Sequence, residues 1–203
     1  MVTAACALTF AVTDTGRAAT TAAEPFGPGT GSAIALVYKV NPLFGNLSFG
    51  ITVGESVAGH QNTAASAQSK AINLGVIGVT LAGEGCRGAK PTWAKEEQPQ
   101  PVIVASDDPG AEKGESADLE GVPNSIKMEA RATKAPLAEA VTTVAPIGDP
   151  MGVLISNGSS RVTSGVVKAG VREARAISTI GRVSILGGLL TLDGLRWEAV
   201  QAT

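Results

Sequence analysis

The sequence predicts an all-β fold in which antiparallel sheets pack as a sandwich, with a β-solenoid as the alternative. Apolar and polar residues alternate with a period of two over 47–53, 126–132 and 167–171, as in strands with one buried face. Asn157-Gly158 and Asp193-Gly194 are typical of tight turns in hairpins, which join antiparallel neighbours. Alternation and turns together favour the sandwich.

Further strands are expected in the first half of the chain. Residues 33–40 are apolar at both alternating sets, which predicts a strand covered on both faces. Small residues alternate over 61–71 and predict a strand in competition with a helix, because alanine also favours helices. The apolar run 72–81 contains Gly75 and Gly78 and indicates a buried strand.

Residues 87–124 change the character of the chain, since five prolines punctuate a stretch with eight acidic residues. This composition predicts a long surface loop. Residues 102–104 are its only strand-like piece, and 107–110 are typical of a turn.

The predicted organisation has four parts: a signal segment (1–23), a first β unit (24–86), the acidic Pro-rich loop (87–124) and a second β unit (125–203). The segment 74–83 is similar to 185–194, which suggests an internal repeat and two related units. We expect both units to belong to one fold.

The N-terminal residues predict export. The run from Val2 to Val12 is uncharged and mostly apolar, and small residues around 17–19 and 21–23 offer cleavage sites. A leading β-strand is the alternative. No later apolar run reaches the roughly 20 residues of a transmembrane helix. Removal of the segment would take away Cys6 and leave Cys86 alone, which excludes a disulfide framework within one mature chain.

The charge of the chain bears on its partners. The formal net charge is −2, and basic residues do not dominate. Nucleic acid and anionic membranes are therefore not expected partners. Cell-envelope components and self-association remain the candidates.

One motif resembles a catalytic element. The segment 54–59 matches the G-x-S-x-G nucleophile elbow around Ser56, but the only histidine, His60, follows too closely to serve as its base. A glycine-rich strand end is the preferred interpretation, with His60 as a solvent-facing turn residue. No catalytic residue is predicted.

No metal site or cofactor is predicted either. One histidine without cysteine or carboxylate partners makes no zinc site. The acidic residues of the loop do not follow the ligand order of a calcium loop and indicate a solvated surface. The acidic residues weighed as calcium ligands are Asp107, Asp108, Glu112, Glu115, Asp118 and Glu120.

The two tryptophans are weighed as binding residues, because an exposed indole can stack on a sugar ring. Trp197 shares its predicted strand face with Leu195 and Ala199, which favours packing in the core. Trp93 lies in the Pro-rich loop and is the weak candidate for a binding residue.

The C-terminal stretch 174–193 has a strand rich in Ala, Ser and Thr that leads into Leu186-Gly187-Gly188-Leu189-Leu190-Thr191. It resembles secreted and cell-surface β-rich proteins of actinobacteria of the "choice-of-anchor" type. The resemblance implies an exported protein with no assigned activity. We therefore expect a non-enzymatic extracellular or cell-surface structural protein. The alternative is a ligand-binding or adhesion module, for example for carbohydrate, and a secreted hydrolase ranks last.

Overall fold

The computed structural model describes residues 29–41, 43–44, 47–48, 50–75, 100–119, 122–148, 152–168 and 170–203. These ranges form β-strands joined by turns, with no α-helix among them, so the all-β prediction is confirmed. The strands are β1 (Thr30–Val40), β2 (Leu43–Phe44), β3 (Leu47–Ser48), β4 (Ile51–Gln61), β5 (Ala64–Asn73), β6 (Val102–Ala105), β7 (Glu112–Leu119), β8 (Val122–Thr133), β9 (Leu137–Val144), β10 (Ile147–Gly148), β11 (Leu154–Ile155), β12 (Gly158–Lys168), β13 (Val171–Ile185) and β14 (Leu190–Ala202). A 3₁₀ turn, Leu186–Gly188, precedes β14.

Two antiparallel sheets make up the fold. The first sheet has the order β1-β4-β5-β6. The second has the order β7-β8-β9-β12-β13-β14, and β11 pairs with the far end of β13 on the side of β12. Strand β10 pairs with β11, and β2 pairs with β3 as a separate small ribbon. Within the described chain, no helix is long and apolar enough to cross a bilayer.

The two sheets pack face to face as a sandwich. Strand β1 lies over β12 and β13, β4 lies over β9 and β12, and β5 lies over β8 and β9. The second sheet is wider, so β14 extends beyond the edge of the first sheet at β1. The observed fold is therefore the sandwich and not the solenoid.

Small side chains fill the space between the sheets. Alanines provide most of the main apolar cluster, and Met128 is the largest fully buried side chain. A smaller cluster surrounds Val37 and Ile180 at one side. Within the second sheet, Gly165 of β12 lies so close to the turn before β9 that an added methyl group would overlap the carbonyl oxygen of Pro136. The thin interior lets short polar side chains reach the opposite sheet.

Several strand predictions are confirmed. The small residues of 61–71 lie in β5, where Ala65, Ala67 and Ala71 are buried and their neighbours point outward. The half-exposed strand over 126–132 is part of β8. Residues 102–104 lie in β6, and 107–110 form a turn. The strand at 33–40 exists as β1, but only one of its faces is buried, because the side chain of Ile34 is 63% exposed.

Two predicted strands have different bounds. Of the strand predicted over 47–53, residues 47–48 form β3 and residues 51–53 begin β4, which runs on to Gln61; residue 50 belongs to no strand, and residue 49 lies outside the described residues. Of the run 72–81, residues 72–73 belong to β5, and 76–81 lie outside the described residues. The internal repeat involves those residues and stays a prediction, as do the proposed domain bounds.

The acidic stretch holds more structure than the sequence indicates. Residues 102–104 are not its only strand, because Glu112–Leu119 forms β7 and pairs with β8. Strand β7 is an edge strand with exposed residues over 112–116. The charged residues of β7 therefore lack the alternation of apolar and polar residues that predicts a strand with one buried face.

Both hairpin turns were predicted at the wrong positions. Gly158 begins β12 instead of occupying a turn, and the β12–β13 turn contains Gly170 (φ +74°), inside the strand predicted over 167–171. Asp193-Gly194 lies within β14, and the β13–β14 turn contains Gly187 and Gly188, both with positive φ. A tight turn needs two flanking strands that pair with each other, and at 157–158 and 193–194 they do not.

Candidate functional site

Ser56, the serine of the elbow-like motif, lies in the middle of β4. The interpretation as a strand end is therefore wrong. Its side chain is fully buried between the sheets, with 0% exposure. A nucleophile elbow requires a serine exposed at a turn between a strand and a helix. Ser56 meets neither condition.

The Ser56 hydroxyl belongs to a buried set of three, called here the hydroxyl cluster: Ser56, Thr142 and Ser160. Ser56 Oγ lies 2.9 Å from Thr142 Oγ1 and 2.8 Å from Ser160 Oγ, and Thr142 Oγ1 donates to the carbonyl oxygen of Glu55 at 3.1 Å. Ser56 Oγ also lies within donating distance of the carbonyl oxygen of Ser160, at 3.2 Å. Because each hydroxyl has one proton, Ser160 Oγ donates to Ser56, and the Ser56 proton is shared between Thr142 Oγ1 and the Ser160 carbonyl oxygen. The hydroxyl cluster thus links β4 of the first sheet to β9 and β12 of the second.

Two more serines bond across the interface between the sheets. Ser69 Oγ in β5 donates to the carbonyl oxygen of Glu129 at 2.6 Å. Ser178 Oγ in β13 donates to the carbonyl oxygen of Leu36 at 2.7 Å. A serine hydroxyl reaches the opposite backbone only where alanine-sized neighbours keep the sheets close together. These contacts therefore join the sheets by hydrogen bonds as well as by apolar packing.

His60 is buried at one end of the sandwich, with 5% exposure, so its prediction as a solvent-facing turn residue is wrong. It lies at an inward position near the end of β4. Its Nδ1 is 2.8 Å from Ser164 Oγ, and Ser164 Oγ donates to the carbonyl oxygen of Gly31 at 2.9 Å. Since the single hydroxyl proton goes to Gly31, Nδ1 carries the imidazole proton and donates to Ser164.

The surroundings of His60 favour its neutral form. Its Nε2 then has a lone pair and no hydrogen-bond partner among the described residues. Burial in the first place, and the Arg172 cation in the second, hold the pKa of His60 below its ordinary value. The serine–histidine distance is that of a nucleophile and its base, but Ser164 is fully buried and its proton is engaged with Gly31. The pair is suited to holding the sheets together and not to attacking a substrate.

A cavity of about 720 Å³ opens next to His60, called here the end cavity. Its lining includes Gln61, Ser66, Asp107 and Lys134 as polar groups. Asp107 and Lys134 are exposed and carry opposite charges. The end cavity therefore offers hydrogen bonding to a small polar molecule.

Trp197 is exposed at the other flank, so its prediction as a core residue is wrong. It does share a strand face with Leu195 and Ala199, as expected, and this face points toward the first sheet. The first sheet ends at β1, however, and leaves the indole 54% exposed. A groove of about 400 Å³, called here the lateral groove, lies between β1 and β14; its lining includes Ile34, Leu36, Ala176, Ser178, Trp197 and Ala199.

The structure gives less support to the remaining candidates for a functional site. Trp93, the weak candidate for binding, lies outside the described residues. Among the described residues, no three His, Cys, Asp or Glu side chains come together as a metal-binding group. The residues that matter in the interior, Thr142, Ser160 and Ser164, were not singled out from the sequence. The alternation of Gly158, Ser160, Val162 and Ser164 with more polar neighbours was a usable signal for them.

Comparisons with family models, curated proteins and solved structures find no match to this chain.

Proposed function

We propose that this protein is a non-enzymatic structural protein of the extracellular space or the cell surface. The observation that supports this proposal most is the position of the side chains that could serve as a nucleophile or a base. Ser56, His60 and Ser164 all lie between the sheets, where they bond one sheet to the other. Side chains that serve as cross-sheet contacts favour a structural role over a catalytic one.

The location is inferred from the sequence. The apolar run from Val2 to Val12 and the small residues after it are typical of an export signal. The resemblance of 174–193 to choice-of-anchor proteins, an expectation from the sequence alone, implies the same location. We expect the mature protein to begin between about residues 20 and 24.

Cell fractionation and mass spectrometry of the native protein test the location. Recovery outside the cytoplasm with a shortened N-terminus would support the proposal. A cytoplasmic protein that retains Met1 would contradict it.

Turnover assays test the absence of catalysis. The purified protein is offered ester and glycan substrates beside the variants His60→Gln and Ser56→Ala. The proposal fails if the wild type hydrolyses a substrate and His60→Gln abolishes the activity without changing the melting temperature.

A ligand-binding or adhesion module is the second candidate, favoured by the exposure of Trp197 in the lateral groove. An indole face beside apolar side chains is a surface on which a sugar ring can stack. A glycan array and cell-wall pull-down with wild type, Trp197→Ala and Val200→Ala tests it. Val200 is equally apolar and exposed and lies on the opposite face of β14, so only Trp197→Ala should lose binding.

A further inference from the structure

The outer edge of β14 is the longest open strand edge of the second sheet within the described chain. Strand β14 pairs with β13 from Leu190 to Ala202, and no other described strand pairs with it. Large apolar side chains are exposed along it, namely Leu190, Leu192, Trp197 and Val200. A long, apolar and unpaired edge is a template for the addition of another strand.

We propose that β14 pairs antiparallel with β14 of a second copy of this chain, in a two-fold register centred on Trp197. The proposal deepens the structural role proposed above, and rests on it, by naming a second copy as the partner. The edge pairing joins two sheets into one continuous sheet and removes both open edges.

Charge complementarity selects the second copy and the register. With Trp197 at the centre, Arg196 lies opposite Glu198 of the second copy, and Glu198 lies opposite Arg196. Opposite charges at directly facing positions stabilise a strand pair, and like charges destabilise it. Both side chains lie on the outer face of the sheet, where Glu198 already accepts hydrogen bonds from Arg196 and Arg175.

The neighbouring registers are unfavourable for the same reason. An antiparallel pair centred on Arg196 would place Arg196 opposite Arg196, and one centred on Glu198 would place Glu198 opposite Glu198. A parallel pair in register would oppose both like charges. Among these arrangements, the register centred on Trp197 is the only one in which both charges face a partner of opposite sign.

The opposite face of β14 fits the same register. Trp197 would lie opposite Trp197 of the second copy, and Leu195 opposite Ala199. Facing aromatic residues are favourable cross-strand pairs. Because β14 extends beyond β1, the two lateral grooves would meet above the paired strands, and no described part of the first sheet stands in the way.

Sedimentation velocity of the full chain measures the association. We expect a concentration-dependent dimer between roughly 1 and 200 µM, the range of weak interfaces. Arg196→Glu should weaken the dimer at least about tenfold, since the new carboxylate would face that of Glu198 twice in the symmetric pair. Arg175→Gln is the matched control, because it removes an ion pair to Glu198 from β13 without changing the edge, and it should dimerise like the wild type.

Cross-linking tests the register. In a Cys6→Ser/Cys86→Ser background, Trp197→Cys should be joined to itself by a short bis-maleimide, since facing Cβ atoms lie about 5 Å apart. Ala199→Cys should not, because its two copies would be offset by roughly 13 Å along the strands. A mixture of Leu195→Cys and Ala199→Cys should cross-link, as these positions face each other.

Three results would contradict the proposed dimer. A chain that stays monomeric up to about 200 µM, a dimer unaffected by Arg196→Glu, or cross-linking of Ala199→Cys alone as efficient as that of Trp197→Cys would overturn the proposal. Each of these results leaves cellular location and catalysis untouched, so failure here is distinguishable from failure of the proposed function.

Discussion

The hydroxyl cluster should make a measurable contribution to stability, although serine is a small and common residue. Replacing Ser56 by Ala removes the acceptor of the Ser160 hydroxyl and the donor to Thr142. Thr142 keeps its bond to the Glu55 carbonyl oxygen, but Ser160 Oγ loses its described partner while it stays fully buried. A hydroxyl buried without a partner costs about 1 to 3 kcal/mol, so we expect Ser56→Ala to lower the free energy of unfolding by about 2 to 3 kcal/mol.

The companion variants isolate that contribution. Ser160→Ala leaves Ser56 bonded to Thr142 and should cost about 1 kcal/mol. In the double variant no donor is stranded, so its cost should fall short of the sum of the two single costs by at least about 1 kcal/mol. Ser159→Ala is the control: Ser159 lies next to Ser160 but on the outer side of β12, bonded to Thr179, and it should change stability by no more than about 1 kcal/mol.

Equilibrium urea denaturation followed by circular dichroism measures all four variants. Unchanged slopes of free energy against urea would indicate that the differences belong to stability and not to a change in compactness. The reasoning is refuted if Ser56→Ala costs no more than Ser159→Ala, or if the Ser56→Ala and Ser160→Ala costs simply add. Either result would mean that water or a rearranged partner satisfies the Ser160 hydroxyl.

Two further predictions concern the interior. The folded state holds the pKa of His60 below its ordinary value, so the unfolded chain takes up the proton more readily. The free energy of unfolding should therefore fall as the pH drops below about 6.5, by at most about 1.4 kcal/mol per pH unit. Above about pH 6.5 the contribution of His60 should stay level. Thermal melts between about pH 7.5 and 5.5 should show this loss in the wild type and less of it in His60→Gln; equal losses would exclude His60 as the cause. Gly165→Ala should lower the free energy of unfolding in urea denaturation by about 1 to 3 kcal/mol, because the methyl group overlaps the Pro136 carbonyl oxygen. Gly114→Ala is the control, because a methyl group there meets only ordinary contacts on edge strand β7. Similar losses of stability in the two variants would contradict the close approach of Gly165 to Pro136.

Strands could be predicted from sequence where a buried face repeats with a period of two. In β8, Met128 and Ala130 point inward while Lys127 and Glu129 point outward, and this alternation is visible without the fold. Strand β7 carries no such signal, because it lies at the edge of the second sheet and most of its described side chains face solvent.

Turns were harder, because glycine tolerates positive φ in several settings. Gly194 has a φ of +64° but lies within β14, whereas Gly170 has a φ of +74° in a real hairpin turn. The difference is whether the residues on either side pair with each other. That pairing depends on distant segments, which a local motif does not include.

The buried contacts of Ser56 and His60 also depend on segments that are distant in sequence. The sequence identified Ser56 and His60 as unusual, but their partners Ser160 and Ser164 are each 104 residues away along the chain. Only the packing of β4 against β12 brings them together. A buried role and an exposed one are therefore indistinguishable at the level of the motif.

Trp197 shows which properties the sequence determines and which the tertiary structure determines. The sequence by itself determined that Trp197 lies in a strand and shares a face with Leu195 and Ala199, because side-chain direction alternates along any extended chain, although it placed a turn at 193–194 within β14. Whether that face is covered depends on how many strands the opposite sheet has. The first sheet ends at β1 and β14 extends past it, so only the tertiary structure decided that the indole is exposed.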